Sequence, residues 1–144
     1  MPAPSRLWTA YLVVFVSSAC TLVLEIVAGR LLAPYVGVSL YTWTSIIGVV
    51  LAGISVGNYL GGVLADRRPE RTTLGALLLA SGLASFAVLA LVAALAPMPL
   101  GGLPLMARIV LLTTLIFFLP AMLLGMISPV VVKLSLDDLA RAGH

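Results

Sequence analysis

The chain has 144 residues, of which 62% are hydrophobic and only 9% are charged. A soluble domain of this length is about half apolar and about a quarter charged, so the composition excludes an ordinary soluble protein and predicts that lipid surrounds the chain. The formal net charge is +3, and the basic residues form no groove-like cluster, so nucleic acid is not a predicted partner.

Four stretches are long and apolar enough to cross a bilayer, which takes about 20 residues in a helix. The predicted spans are residues 7–32, 41–64, 74–96 and 107–132. The predicted fold class is therefore an all-α membrane protein, whose four transmembrane helices form one bundle within residues 1–132. Because the loops are short, consecutive spans are predicted to be antiparallel.

The first span contains two of the few charged residues, Glu25 and Arg30, and the only cysteine, Cys20. The apolar run continues beyond Cys20, so we predict an uncleaved span in which this cysteine is a small packing residue. Arg30 is predicted to reach the outer interface. Glu25 then lies roughly 7 Å deeper, at a rise of about 1.5 Å per residue.

A polar stripe follows one face of the first span. Four residues succeed one another at four-residue spacing: Ser17, Thr21, Glu25 and Gly29. We predict that this face points at other helices. Two hypotheses remain open for Glu25. It is either a structural group, ion-paired with Arg108 or protonated and bonded to Ser or Thr, or a group that attracts a cation or carries a proton in transport.

The second span carries glycines at every fourth position, namely Gly53, Gly57 and Gly61. Such a glycine zipper clears one helix face for close backbone packing. We interpret it as an internal helix contact, with a dimer interface as the alternative. Asn58 lies beside the stripe and is predicted to bond to another helix, because an unpaired amide is unfavourable in lipid.

Three aromatic residues lie near the predicted outer mouth: Tyr35, Tyr41 and Trp43. They suit an interfacial belt, and the alternative is that their rings contact a cation.

The fourth span contains Pro120, Gly125 and Pro129. Proline removes a backbone hydrogen bond, so we predict kinks here. Met122 and Met126 are interpreted as packing residues rather than as a metal pair.

Basic residues predict the orientation of the spans. Six lie on one predicted side: Arg6, Arg67, Arg68, Arg71, Lys133 and Arg141. Both chain ends and the 66–71 loop are therefore predicted to be cytoplasmic, in a bacterial inner membrane. Residues 133–144 form a predicted tail that suits a short amphipathic surface helix, with Ser135 and Asp138 at capping-box spacing.

No catalytic or zinc-binding pattern is present in the sequence. The single histidine, His144, is the last residue, and the single cysteine lies in a span. The sequence therefore predicts no metal, no cofactor and no enzyme activity for this chain alone.

The loop "GGVLADRRPERTT" resembles the motif between the second and third helices of major facilitator transporters. Gly62, Asp66, Arg67 and Arg71 match it, whereas Pro69 stands where the motif has its second glycine. The resemblance implies that the acidic and basic residues contact neighbouring helix ends, which helix termini make physically reasonable.

The whole chain resembles the membrane region of spermidine synthase-like fusion proteins, which join facilitator-like helices to a soluble aminopropyltransferase. The matching stretches are "LEIVAGRLLAPYVGVSLYTWTSIIGVVLAGISVGNYLGG", with Glu25, Arg30, Tyr41 and Trp43, and "LPAMLLGMISPVVVKL", with its Pro–Gly–Pro pattern. The synthase domain is missing from this sequence, so the resemblance implies no enzyme activity here.

The resemblance implies a membrane domain that recognises or moves a polyamine or another organic cation, with Glu25 as the anionic contact. The alternative is a structural or anchoring subunit of a larger membrane complex or of a separately encoded aminopropyltransferase. A proton-coupled small transporter built as a dimer is a third hypothesis. Four spans are fewer than the six helices of half a facilitator, so the predicted partners are the lipid bilayer and further membrane helices or other copies of the chain.

Overall fold

A computed structural model describes residues 4–97 and 102–142, with side chains over 8–97 and 102–137. The described residues form four α-helices and no strand: α1 (Pro4–Val36), α2 (Leu40–Arg67), α3 (Arg71–Leu95) and α4 (Leu105–Ala142). Each contains a segment long and apolar enough to cross a membrane. The prediction of an all-α membrane protein with four spans is therefore confirmed.

The central helix of the bundle is α4. It packs against α1, α2 and α3, whereas α2 and α3 make no helix contact with each other in the described part of the chain. Several α4 side chains are fully buried, including those of Ile116, Phe117, Ile127 and Val130. The core is thus arranged around α4. Helices α2 and α3, which are joined by the loop 68–70, lie on different sides of α4.

The glycine zipper of α2 faces α4. A Cβ on Gly57 would overlap the carbonyl oxygen of Met122, and a Cβ on Gly61 would lie 2.6 Å from the carbonyl oxygen of Met126. Gly53 meets the same helix, since its Cβ would lie 2.9 Å from that of Ala121. Lipid supplies no hydrophobic drive between helices, so this close backbone approach is what holds α2 to α4.

The fourth helix contributes its own glycine to this seam. A Cβ on Gly125 would lie 2.8 Å from the carbonyl oxygen of Ile54. The helix is continuous through Pro120 and Pro129, which lie inside it. These prolines therefore do not divide α4 into separate helices.

The predicted tail is helical, but it does not form a helix of its own. The chain from residue 133 to Ala142 is a continuation of α4. Ser135 is not a helix cap, because its hydroxyl donates to the carbonyl of Val131 at 2.9 Å, as in a helix interior. The predicted spans correctly marked the apolar part of α4, but the hydrogen-bonded helix runs beyond it into polar sequence.

A three-residue turn, 37–39, joins α1 to α2. Gly37 has a φ of 78°, a left-handed conformation that favours glycine, and its amide donates to the carbonyl of Ala33 at 2.9 Å. Ser39 caps α2, since its hydroxyl accepts from the amide of Thr42 at 3.2 Å. The Thr42 hydroxyl in turn donates to the Gly37 carbonyl at 3.1 Å. This network sets α1 beside the start of α2.

Candidate functional site

Trp43 packs its indole ring against Gly29 across the start of the α1/α2 contact. A Cβ at position 29 would lie 2.7 Å from the ring. Gly29 is buried, whereas 39% of the Trp43 surface is still exposed. The ring therefore stands at the edge of the contact between the two helices.

Glu25 lies one helical turn before Gly29, on the same face of α1. It is half-buried and forms no hydrogen bond or ion pair with any described residue. The hydroxyls nearest along its stripe are already satisfied: Ser17 donates to the carbonyl of Val14 at 2.9 Å, and Thr21 donates to the carbonyl of Ser17 at 3.0 Å. The carboxyl group is therefore placed within a membrane span without a protein partner among the described residues.

Neither Arg30 nor Arg108 forms an ion pair with Glu25. Arg30 is exposed, and Arg108 is half-buried with an enclosed Nε atom that has no hydrogen-bond partner among the described residues. The hypothesis of a Glu25–Arg108 ion pair is thus not met in this structure. Spacing along one helix could not decide this, because the pairing depends on how α1 and α4 are rotated.

Asn58 is exposed on α2 and bonds to no described residue, so its predicted bond to another helix is not formed within the described part of the chain and stays a prediction. The zipper glycines occupy the face of α2 towards α4, and Asn58 lies on the surface that α4 leaves open. Tyr41 is likewise exposed, at 56% of its surface. Tyr35 is 37% exposed. The structure does not bring these three side chains together with Glu25.

The facilitator-like loop residues gather where α2 ends and α3 begins. Asp66 forms an ion pair with Lys133 of α4, with 3.1 Å between Oδ1 and Nζ. Gly62 lies one turn before Asp66 in α2, Arg67 is the last residue of α2, and Arg71 is the first residue of α3. We call this the basic end of the bundle, and Asp66 there pairs with a residue inside α4 rather than at its end.

An apolar cleft between α1 and α3, here called the α1/α3 groove, was not predicted. Its volume is about 760 Å³, and Leu124 and Ile127 of α4 form its floor. The groove exists because α1 and α3 each pack on α4 and hardly touch each other. The small residues Ser81, Gly82 and Ser85 line its α3 side, and their clustering is the one sequence signal that could have indicated it.

In the described part of the chain, no group of His, Cys, Asp or Glu side chains could hold a metal ion. No protein-family model, no curated protein and no solved structure matches this chain.

Proposed function

We propose that this integral membrane domain recognises an organic cation of the polyamine class, with the Glu25 carboxylate as the charged contact. The observation that carries the proposal is the half-buried Glu25 without a protein partner in the described chain. An acidic group at such a depth is unfavourable in lipid unless a cation, a proton or water accompanies it. A polyamine supplies ammonium groups separated by apolar methylenes, which suit a carboxylate between apolar helices.

The indole of Trp43 supports the proposal. The ring lies against Gly29, one helical turn closer than Glu25 to the turn between α1 and α2, and part of its surface is exposed. An aromatic face attracts ammonium groups by about 0.5–1 kcal/mol at an exposed site. A cation entering along the α1/α2 contact would meet the ring first and the carboxylate next.

Arg30 and Arg108 oppose a cation at this end, because both carry positive charge. Arg30 is exposed, so water screens its charge. Affinity should therefore rise with ionic strength if this repulsion dominates, and fall if the attraction of Glu25 dominates. We expect a fall.

The experiment is a spermidine titration of the purified protein in mild detergent or in nanodiscs. We expect saturable binding for the wild type and at least a tenfold loss for Glu25→Gln, the factor that about 1.4 kcal/mol represents. Glu70→Gln is the matched control, since Glu70 undergoes the same chemical change at the exposed basic end. Absence of saturable binding, or equal binding by the two variants, rejects the proposal.

A second candidate function is a structural subunit of a larger membrane assembly. The observation that favours it is the exposed Asn58 on α2, about one helical turn from the exposed Ser55. An unpaired amide in hydrocarbon favours contact with another polar helix face. Further helices, another copy of the chain or a separately encoded aminopropyltransferase complex are the partners that the resemblance to spermidine synthase-like proteins implies.

The particle mass in mild detergent tests this second function. Asn58→Leu should lower the mass if Asn58 mediates assembly. Thr114→Val is the control, because Thr114 is also exposed but its hydroxyl donates to the Val110 carbonyl of its own helix at 2.7 Å. A wild-type mass equal to one chain plus detergent would exclude this function under those conditions.

A further inference from the structure

The face of α2 that points away from α4 carries a row of small and polar residues at the spacing of a coiled coil. Its members succeed one another at alternating intervals of three and four residues, and none is a large aliphatic side chain: Tyr41, Ser45, Gly48, Ala52, Ser55, Tyr59, Gly62 and Asp66. A repeat of this kind follows one side of a helix and faces a partner helix. We call this row the α2 seam.

The α2 seam is open to the bilayer. Ser45 and Gly62 are half-buried, and the other six members are exposed. A Cβ on Gly48 or on Gly62 would meet no atom within 4 Å, whereas the zipper glycines on the other side of α2 touch α4. None of the four described helices therefore packs against the seam.

Polar groups of this face have no partner within the described chain. In other spans a hydroxyl is satisfied by its own helix, as where Thr113 donates to the carbonyl of Ile109 at 2.7 Å. Ser55, Tyr59 and the flanking Asn58 bond to none of the residues that the structure describes.

The depth of these groups makes lipid a poor neighbour for them. Arg67 marks the end of α2 by its charge, and Ser55 lies about 18 Å from it along the helix axis, at a rise of about 1.5 Å per residue. A hydrocarbon core is about 30 Å thick, so Ser55 lies near its middle, where water is absent. Polar side chains at such a depth favour contact with another polar helix face.

We propose that the α2 seam binds the α2 seam of a second copy of this chain, with the two helices parallel. The proposal rests on the second candidate function, assembly in the membrane, and names the partner and the surface. Every copy crosses the bilayer in the same orientation, so two α2 helices can pack about a two-fold axis along the bilayer normal.

The seam is complementary to itself. About the two-fold axis each member meets its counterpart at the same depth, and the small members let the two backbones approach closely. Hydroxyl and amide groups both donate and accept hydrogen bonds, so two copies of the seam can satisfy each other. The charged member, Asp66, is already paired with Lys133, so its charge does not oppose the approach.

The test is disulfide cross-linking of the full chain in lipid vesicles, with copper phenanthroline as the oxidant and enough lipid to make chance encounters rare. A Cys20→Ala background removes the only cysteine, and Ser55→Cys and Gly62→Cys each place a thiol in the seam. Leu60→Cys is the matched control, because Leu60 is also exposed in α2 but points about 140° away from Ser55.

We expect cross-linked dimers from both seam positions and only background from Leu60→Cys. Equal cross-linking by Leu60→Cys, or none by Ser55→Cys and Gly62→Cys, overturns the proposal.

Energy transfer between two labelled populations of the chain in vesicles measures the association itself. Ser55→Leu puts a bulky side chain into the seam and should weaken association at least tenfold, a factor within the usual range of overpacking. Ala87→Leu enlarges a side chain on the exposed surface of α3 and should leave association unchanged. Association of Ser55→Leu as tight as that of the wild type would reject the seam. Cross-linking decides the case even if Ser55→Leu fails to fold, since Ser55→Cys hardly changes the size of the side chain.

The outcomes separate this proposal from the function on which it rests. A wild-type particle larger than one chain, with no cross-link at either seam position, would show that another membrane helix covers the seam; assembly would stand and this proposal would fail. A wild type that stays a single chain in detergent and in vesicles refutes both. The spermidine titration bears on neither, because Glu25 lies on α1.

Discussion

Gly57 of α2 lies directly against the backbone of Met122 in α4, so that the Met122 carbonyl oxygen occupies the space that a Cβ at position 57 would need. The two helices share more contacts than any other pair in the bundle. The close approach of these two helices thus requires that position 57 carry no Cβ.

We therefore expect Gly57→Ala to destabilise the protein by about 1–3 kcal/mol, the usual range for overpacking. The obstacle is backbone rather than a flexible side chain, so the helices must move apart. Thermal unfolding in detergent measures the effect. Gly48→Ala is the control, because Gly48 lies in the same helix and a Cβ there meets no atom within 4 Å. An unfolding midpoint that is equal for the two variants would contradict the packing described here.

A second prediction concerns the turn between α1 and α2. Gly37→Ala places a side chain at a φ of 78°, which costs roughly 1–2 kcal/mol for a residue with a Cβ. Ser39→Ala removes the cap of α2 and should cost about 0.5–2 kcal/mol. Gly102→Ala is a loop control, since its backbone is not left-handed and its surroundings are open. Chemical denaturation should rank Gly102→Ala as the mildest of the three substitutions.

The Asp66–Lys133 ion pair should contribute little to stability. Its side chains are 73% and 39% exposed, and ion pairs that water reaches contribute little to stability. A double-mutant cycle with Asp66→Asn and Lys133→Met measures the coupling energy, which should shrink as salt is raised. A reference cycle combines Asp66→Asn with Arg67→Met, and we expect no coupling energy in it. A coupling that is large and insensitive to salt would show that the pair is shielded from water, for example by a partner.

The orientation of the spans remains a prediction from the basic residues, and cysteine labelling in intact cells can test it. In a Cys20→Ala background, Val38→Cys places a thiol in the α1–α2 turn, and Thr72→Cys places one next to the α2–α3 loop. A membrane-impermeant maleimide should label the first thiol directly and the second only after permeabilisation. The reverse pattern would put the basic end outside and would contradict the positive-inside assignment.

The positions of the four membrane-spanning helices could largely be predicted from the sequence. Long apolar runs must be helical in lipid, because only a helix satisfies its own backbone groups there. The end of α4 could not be predicted in this way, since helix hydrogen bonding continues past Val132 into polar residues such as Ser135. Apolarity marks the part of a helix that lies in lipid, but it does not mark where hydrogen bonding stops.

The candidate site was only partly predictable. Glu25 stands out because an acidic residue in an apolar run is rare. Whether Glu25 pairs with Arg108, and whether Asn58 bonds to another helix of the chain, could not be predicted from single spans. Each depends on which face of one helix meets which face of another.

The amino-acid sequence by itself determined that the chain is a membrane protein with four helical spans, because the apolar composition and the length of each apolar run reflect the lipid around them. Only the tertiary structure decided that α4 is central, that Glu25 is without a partner among the described residues, and that an apolar groove lies between α1 and α3. These features depend on the rotation and spacing of packed helices, which backbone contacts such as Gly57 against Met122 set and which no single segment encodes.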